Sequence, residues 1–131
     1  MTKFVVDASV VLHLASTGIE VRPEHQLLAP TLLRSQTLSA LHEAVQRGEI
    51  PADVARDHLA RIGRMPIRLL GDAVLRRRAW DLADQLGWAS TYTAEYVALT
   101  QLQGDAFVTL DAALARSLEG IVAVASIDEL R

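Results

Sequence analysis

The 131-residue chain contains no cysteine. That absence excludes a disulfide framework, a thiolate metal site and a cysteine nucleophile. Nowhere does the sequence approach the roughly 18 consecutive apolar residues that a membrane-spanning helix needs. The opening apolar run "KFVV" meets Asp7 too soon to read as a signal peptide. A soluble, cytoplasmic protein with no membrane partner is therefore expected. There is no glycine-rich phosphate loop, because Gly71 and Gly104 stand alone in "LGD" and "QGD". His13, His25, His42 and His58 show no metal-ligand spacing. His13, within "VVLHLA", reads as an ordinary partly buried imidazole. Strong basicity is missing too: the formal net charge is −3 and the pI about 5.7, which speaks against a dedicated basic nucleic-acid binder.

What is present is apolar and compact in character. Half the residues are hydrophobic and 22% are charged, as in a folded globular chain rather than a disordered one. The length fits one domain, residues 1–131, with a substantial core. Basic charge is unevenly spread: seven arginines and three acids fall between residues 51 and 80, and Lys3 is the sole lysine of the chain. Arginine forks onto phosphate better than lysine does. Solvated helix faces are the plainer explanation of any single one of these arginines, and less so of the cluster.

Strand-like runs alternate with helical ones. Residues 3–7 read as a buried strand, followed by a short helix over Ala8–Ser16 that Thr17-Gly18 breaks. A short strand is expected at Gln26–Ala29, then a long helix opened by Pro30 and running from Thr31 to Arg47. A helix after Pro51 should reach about Arg61, with Gly63 and Pro66 as breakers. "PIRLLG" (66–71) is strand-like. Asp72 caps a helix ending near Leu86-Gly87, and a further helix covers Thr93–Gln103. Strand 106–110, a short helix to Leu118 and the apolar run 121–125 complete the chain. Continuous apolar strands separated by helices predict an α/β fold, a three-layer α/β/α domain around a mainly parallel sheet. Trp80 and Trp88 border the fourth major helix, where core or dimer packing is the default.

Two strands end on a carboxylate. "KFVVDAS" closes on Asp7, and "AFVTLD" on Asp111 about a hundred residues later. Acids there are costly unless something pairs with them. In open parallel sheets, ligands gather beyond the carboxyl ends of the strands, where both aspartates belong. Two like charges in a half-buried site repel unless a cation lies between them. Oxygen ligands without His or Cys suit Mg²⁺ or Mn²⁺, ions that organise phosphoryl chemistry. The plainer alternative is that Asp7 and Asp111 each cap the helix that follows. A serine triad is unsupported, since Ser9 lacks a histidine partner. A haloacid-dehalogenase-type phosphatase needs a second Asp where Ser9 stands.

The ordered set "FVVDASVVL", "LLAP" leading into a helix, "YTAEYVAL" and "FVTLD" resembles PIN-domain proteins of the VapC toxin type. The match in order and spacing spans essentially the whole chain. The resemblance implies a Mg²⁺- or Mn²⁺-dependent endoribonuclease, usually dimeric, inhibited by a small cognate antitoxin. It implies catalytic and metal-binding roles for Asp7 and Asp111, with Ser9 and Thr109 as their hydroxyl neighbours. The family's other two acids are replaced here by Gln36 and Thr93, which supply no negative charge but can orient water or phosphate.

Glu95 and Glu43 are the candidates to compensate. Glu95 lies two residues past Thr93, about 200° around a regular helix, so it reaches the site only if that helix begins irregularly. Glu43 lies seven residues past Gln36, on the same face but about 10 Å along the axis. It helps only if its helix runs across the site, and an ion pair with Arg47 one turn on is the bland reading. The sequence favours Glu95. Arg34, Arg76, Arg77 and Arg78 are the candidates for steering an RNA backbone. The helices at 51–62 and 72–87 are amphipathic enough to offer a face to an antitoxin or a second subunit. A different class of function also follows from the missing acids: a degenerate PIN domain that binds RNA or protein without efficient catalysis.

Overall fold

The computed structural model describes residues 1–131. Five strands, β1 (Lys3–Val6), β2 (Gln26–Pro30), β3 (Ile67–Leu70), β4 (Ala106–Val108) and β5 (Val124–Ala125), form one sheet in the order β3-β2-β1-β4-β5. Every pairing is parallel. Six helices connect or flank them: α1 (Ala8–Thr17), α2 (Leu32–Gln46), α3 (Ala52–Arg64), α4 (Ala73–Leu86), α5 (Tyr92–Gln103) and α6 (Ala112–Ser117). A 3-10 turn, Ile127–Leu130, follows β5.

The sequence patterns explain the layers. Phe4–Val6, Leu27–Ala29 and Ala106–Val108 are buried, as expected for central parallel strands covered on both faces. The chain leaves β1 toward β2 and β3, and returns to the other side through β4 and β5. Right-handed crossovers therefore place α1, α2 and α3 on one face, where they touch one another. They place α4 and α5 on the opposite face, where α5 lies against β1, β2, β4 and α4. Ala94 and Tyr96–Thr100 are accordingly buried. The architecture is a three-layer α/β/α domain.

Several boundaries differ from the sequence reading. Pro30 ends β2 instead of opening a helix, because its carbonyl side still pairs in register with Leu70 while Thr31 begins the turn. Helix α3 continues through Gly63 to Arg64; a glycine weakens a helix without stopping it. Pro66 stops it, forcing Met65 into an extended conformation (ψ 134°). Strand β4 is three residues long and β5 two, so Thr109 and Leu110 already belong to the loop above the sheet. Trp80 is 66% exposed rather than part of the core, whereas Trp88 packs against it.

Strand order fixes where a site can form. β1 and β4 are neighbours whose onward connections diverge to opposite faces, so a crevice opens between their carboxyl ends. Asp7 follows β1 directly, and its N–H donates to the Val108 carbonyl at 3.4 Å, extending the β1–β4 ladder by one bond.

Candidate functional site

Asp7 and Asp111 are both helix caps. One oxygen of Asp7, Oδ1, accepts from the Val10 N–H at 3.2 Å and from the Ser9 hydroxyl at 2.6 Å. Oδ1 of Asp111 accepts from the Leu114 N–H at 3.0 Å, and the Asp111 N–H donates to Thr109 Oγ1 at 3.1 Å. Neither Oδ2 makes a hydrogen bond within the protein. Capping and ligand binding therefore do not compete: each carboxylate commits one oxygen to its helix and keeps one free. Ser9 ties the two loops together, since its Oγ also accepts from the Leu110 N–H at 3.1 Å.

A cleft of about 350 Å³ opens at this edge, floored by Asp7, Ala8, Ser9 and Phe107. Gln36, Ser39 and Glu43 of α2 form one wall, and Thr93 and Tyr96 of α5 another. The helical spacing of 3.6 residues per turn puts positions 36, 39 and 43 on one stripe of α2, and 93 and 96 on one stripe of α5. Leu114 of α6 closes the cleft, so Asp111, bonded to the Leu114 N–H, stands one helical turn from the lining.

The structure places Glu43 and not Glu95 along the cleft. Helix α2 does run across the site, and Glu43 Oε2 accepts from the Ser39 hydroxyl at 2.9 Å. The expected Glu43–Arg47 pair does not form, because Arg47 forks onto Glu49 with both bonds at 3.0 Å. Helix α5 is regular from its start, with the Glu95 N–H donating to the Thr91 carbonyl at 3.0 Å, so Glu95 stays on a different stripe from Thr93. Burial pushes the Glu95 carboxyl above its ordinary value.

Tyr96 is the residue the sequence reading gave no role. It is 3% exposed, and its hydroxyl donates to Gln36 Oε1 at 2.6 Å. Burial first, then the charges of Asp7 and Glu95, hold its phenol well above the usual tyrosine range. The signal available in sequence was the three-residue spacing of Thr93 and Tyr96 within "YTAEY".

The arginines lie elsewhere. Arg34 is exposed on α2 and does not line the cleft. Arg76, Arg77 and Arg78 are exposed on α4. Arg77 and Arg78 border a separate depression with Gln101 and Leu102, about 12 Å along α5 from Thr93 by helical rise. The charged residues that line the cleft are thus Asp7 and Glu43, with no basic side chain in the lining; the Glu95 charge acts on the Tyr96 phenol of that lining.

Nowhere in the chain do three His, Asp or Glu side chains converge closely enough to hold a metal ion by themselves. A caged ion or a metal pair does not fit this donor set. A single Mg²⁺ or Mn²⁺ asks less of the protein, because Mg²⁺ keeps several waters and takes one or two carboxylates together with substrate phosphates. The free Oδ2 atoms of Asp7 and Asp111 and the Glu43 carboxylate are the donors of the right kind.

The fold has a known counterpart. The chain superposes on the crystal structure of PAE2754 from Pyrobaculum aerophilum with a TM-score of 0.72 and 22% sequence identity, covering 98% of this chain and 93% of that one. At that identity the shared property is the fold. No family model matches the chain, and no curated protein does. No helix is long and apolar enough to cross a membrane.

Proposed function

We propose that this chain is a PIN-type endoribonuclease, the toxin half of a toxin–antitoxin pair, which hydrolyses RNA phosphodiester bonds with one Mg²⁺ or Mn²⁺. The observation that carries the reading is the pair Asp7 and Asp111 at the ends of adjacent strands, each with one oxygen locked in a cap and the other free. Asp7 lines a cleft with no basic side chain, and Asp111 stands beside it, bonded to the lining residue Leu114; such a cleft repels a phosphodiester unless a cation accompanies it. Order and spacing of "FVVDAS", "YTAEY" and "FVTLD" support the same family.

Asp7 and Asp111 would hold the ion, and Glu43 would add negative charge from the α2 wall of the cleft without being a third direct ligand. When bound, the ion supplies positive charge for the phosphate and a water of lowered pKa. The protein's own part is positional. Ser9 fixes the Asp7 carboxylate and the Leu110 backbone, and Thr109 fixes the Asp111 N–H. Arg34 and Arg76–Arg78 contact RNA outside the cleft. An antitoxin and a second copy of the chain are the proposed protein partners, supported by two apolar surfaces. One is the α2–α3 groove around Leu38, Leu41 and Leu59; the other is the exposed Val74 and Trp80 of α4.

The test is cleavage of a panel of structured RNAs with Mn²⁺, Mg²⁺ or EDTA, using the wild type and Asp7→Asn. Cutting that needs the metal and disappears in the variant supports the reading. Full activity in Asp7→Asn sinks it.

A second reading rests on the neutral Gln36 and Thr93 and on the absence of three converging acids. In it the chain is a degenerate PIN domain that binds RNA or protein. Mn²⁺ affinity separates the two: micromolar binding favours the nuclease, and millimolar or no binding favours the binder.

A further inference from the structure

The position that resemblance would assign to a metal-binding carboxylate is Gln36, and its amide has a fixed polarity. An amide can face a cleft with its oxygen, as an acceptor, or with its NH₂, as a donor. The Tyr96–Gln36 contact decides between them. Its length, 2.6 Å, lies in the O–H···O range and below that of N–H···O bonds. Tyr96 is buried and makes no other hydrogen bond through its hydroxyl, so turning the amide would leave the phenol proton without an acceptor. Oε1 is therefore occupied by Tyr96. Nε2 donates to no group in the protein, and Gln36 itself lines the cleft beside Asp7.

We infer that Gln36 presents its NH₂ to a non-bridging oxygen of the RNA phosphate, and that Tyr96 is the positioning residue that holds it in that polarity. This rests on the nuclease reading and adds to it. Position 36 contacts substrate and contributes nothing to the metal. The cleft thus carries two anionic acceptors, Asp7 and Glu43, and one neutral donor, Gln36, which shares the α2 wall with Glu43. A neutral donor helps an anionic phosphate without competing for the cation, which a lysine or arginine there would do by pairing with Asp7.

Two measurements on the same variants test this: Mn²⁺ affinity without RNA, and the affinity for a fluorescein-labelled single-stranded RNA with Ca²⁺ as the cation. Gln36→Leu is expected to leave Mn²⁺ affinity unchanged and to weaken RNA binding about tenfold, as for one hydrogen bond to a charged group. Tyr96→Phe should weaken RNA binding by a smaller factor, again with unchanged Mn²⁺ affinity. Gln36→Glu should weaken RNA binding and tighten Mn²⁺. Loss of Mn²⁺ affinity in Gln36→Leu overturns the inference, since the amide oxygen would then be a ligand. Unchanged RNA affinity in Gln36→Leu also overturns it while leaving the nuclease reading intact. A wild type that binds Mn²⁺ but no RNA removes the RNA reading itself, and the donor role with it. Melting temperatures of the variants separate unfolding from these effects.

Discussion

The Ser9 hydroxyl lies 2.6 Å from Oδ1 of Asp7 and donates to it, while its oxygen accepts from the Leu110 N–H at 3.1 Å. One side chain thereby joins the loop after β1 to the loop after β4, the two that carry the candidate acids. Ser9→Ala removes both bonds. It should cost about 1–2 kcal/mol of stability, because one of the two bonds is to a charged acceptor. It should also lower any metal-dependent cleavage, and Ser9→Thr should restore most of it. Urea denaturation and cleavage rates on the three proteins check this.

Asp7 has separable roles. Asn is as good a helix cap as Asp, so Asp7→Asn should keep the cap and lose only the charge, together with the part of the Ser9 bond that depends on it. Asp7→Ala should lose the cap as well, and about 1 kcal/mol with it. Equal stability of the Asn and Ala variants contradicts the capping geometry.

Gly104 holds α5 against β1. A Cβ there would stand 2.8 Å from Val5 Cγ2 and 3.2 Å from Thr100 Cα, and Val5 is fully buried. Gly104→Ala should therefore destabilise by about 1–3 kcal/mol, as overpacking does. Gly71→Ala is the control: its close neighbour is the side chain of exposed Thr31, which can turn aside. It should cost clearly less in the same denaturation experiment.

Glu95 and Glu43 give opposite outcomes. Burial raises the folded-state pKa of Glu95 above its ordinary 4.5, so between the two values the folded state binds more protons than the unfolded chain. Its contribution to stability is thus full below 4.5 and is lost as pH rises through the folded value. Glu95→Gln should raise the melting temperature at neutral pH, with a gain that shrinks to nothing below pH 4.5. It should leave Mn²⁺ affinity unchanged, whereas Glu43→Gln should weaken it. Thermal melts across pH and Mn²⁺ titrations read the two effects separately.

The layer architecture and the strand-end aspartates were legible because apolar runs, caps and glycine stops are local signals. "KFVVDAS" and "AFVTLD" each announce a strand ending in a cap, and Asp72 to Gly87 bounds α4 as read. What local signals cannot show is which stripe of a helix meets the sheet edge. The neighbours of Glu95 in sequence favour it, yet a regular α5 puts Thr93 and Tyr96 in the cleft lining and Glu95 outside that lining. Glu43 depended on the direction in which α2 crosses the site. Arg76–Arg78 are candidates for steering RNA by their chemistry alone; that α4 sets them outside the cleft is a matter of three-dimensional placement. The Tyr96–Gln36 bond joins residues sixty positions apart, which no spacing rule anticipates.

The most direct test of the account is a Mn²⁺ titration of the wild type, Asp7→Asn and Asp111→Asn, each with and without a short single-stranded RNA. Two free carboxylate oxygens sharing one ion with a substrate phosphate predict micromolar binding in the wild type, tighter with RNA, and a large loss in both variants. Equal Mn²⁺ affinity in all three proteins would contradict the site.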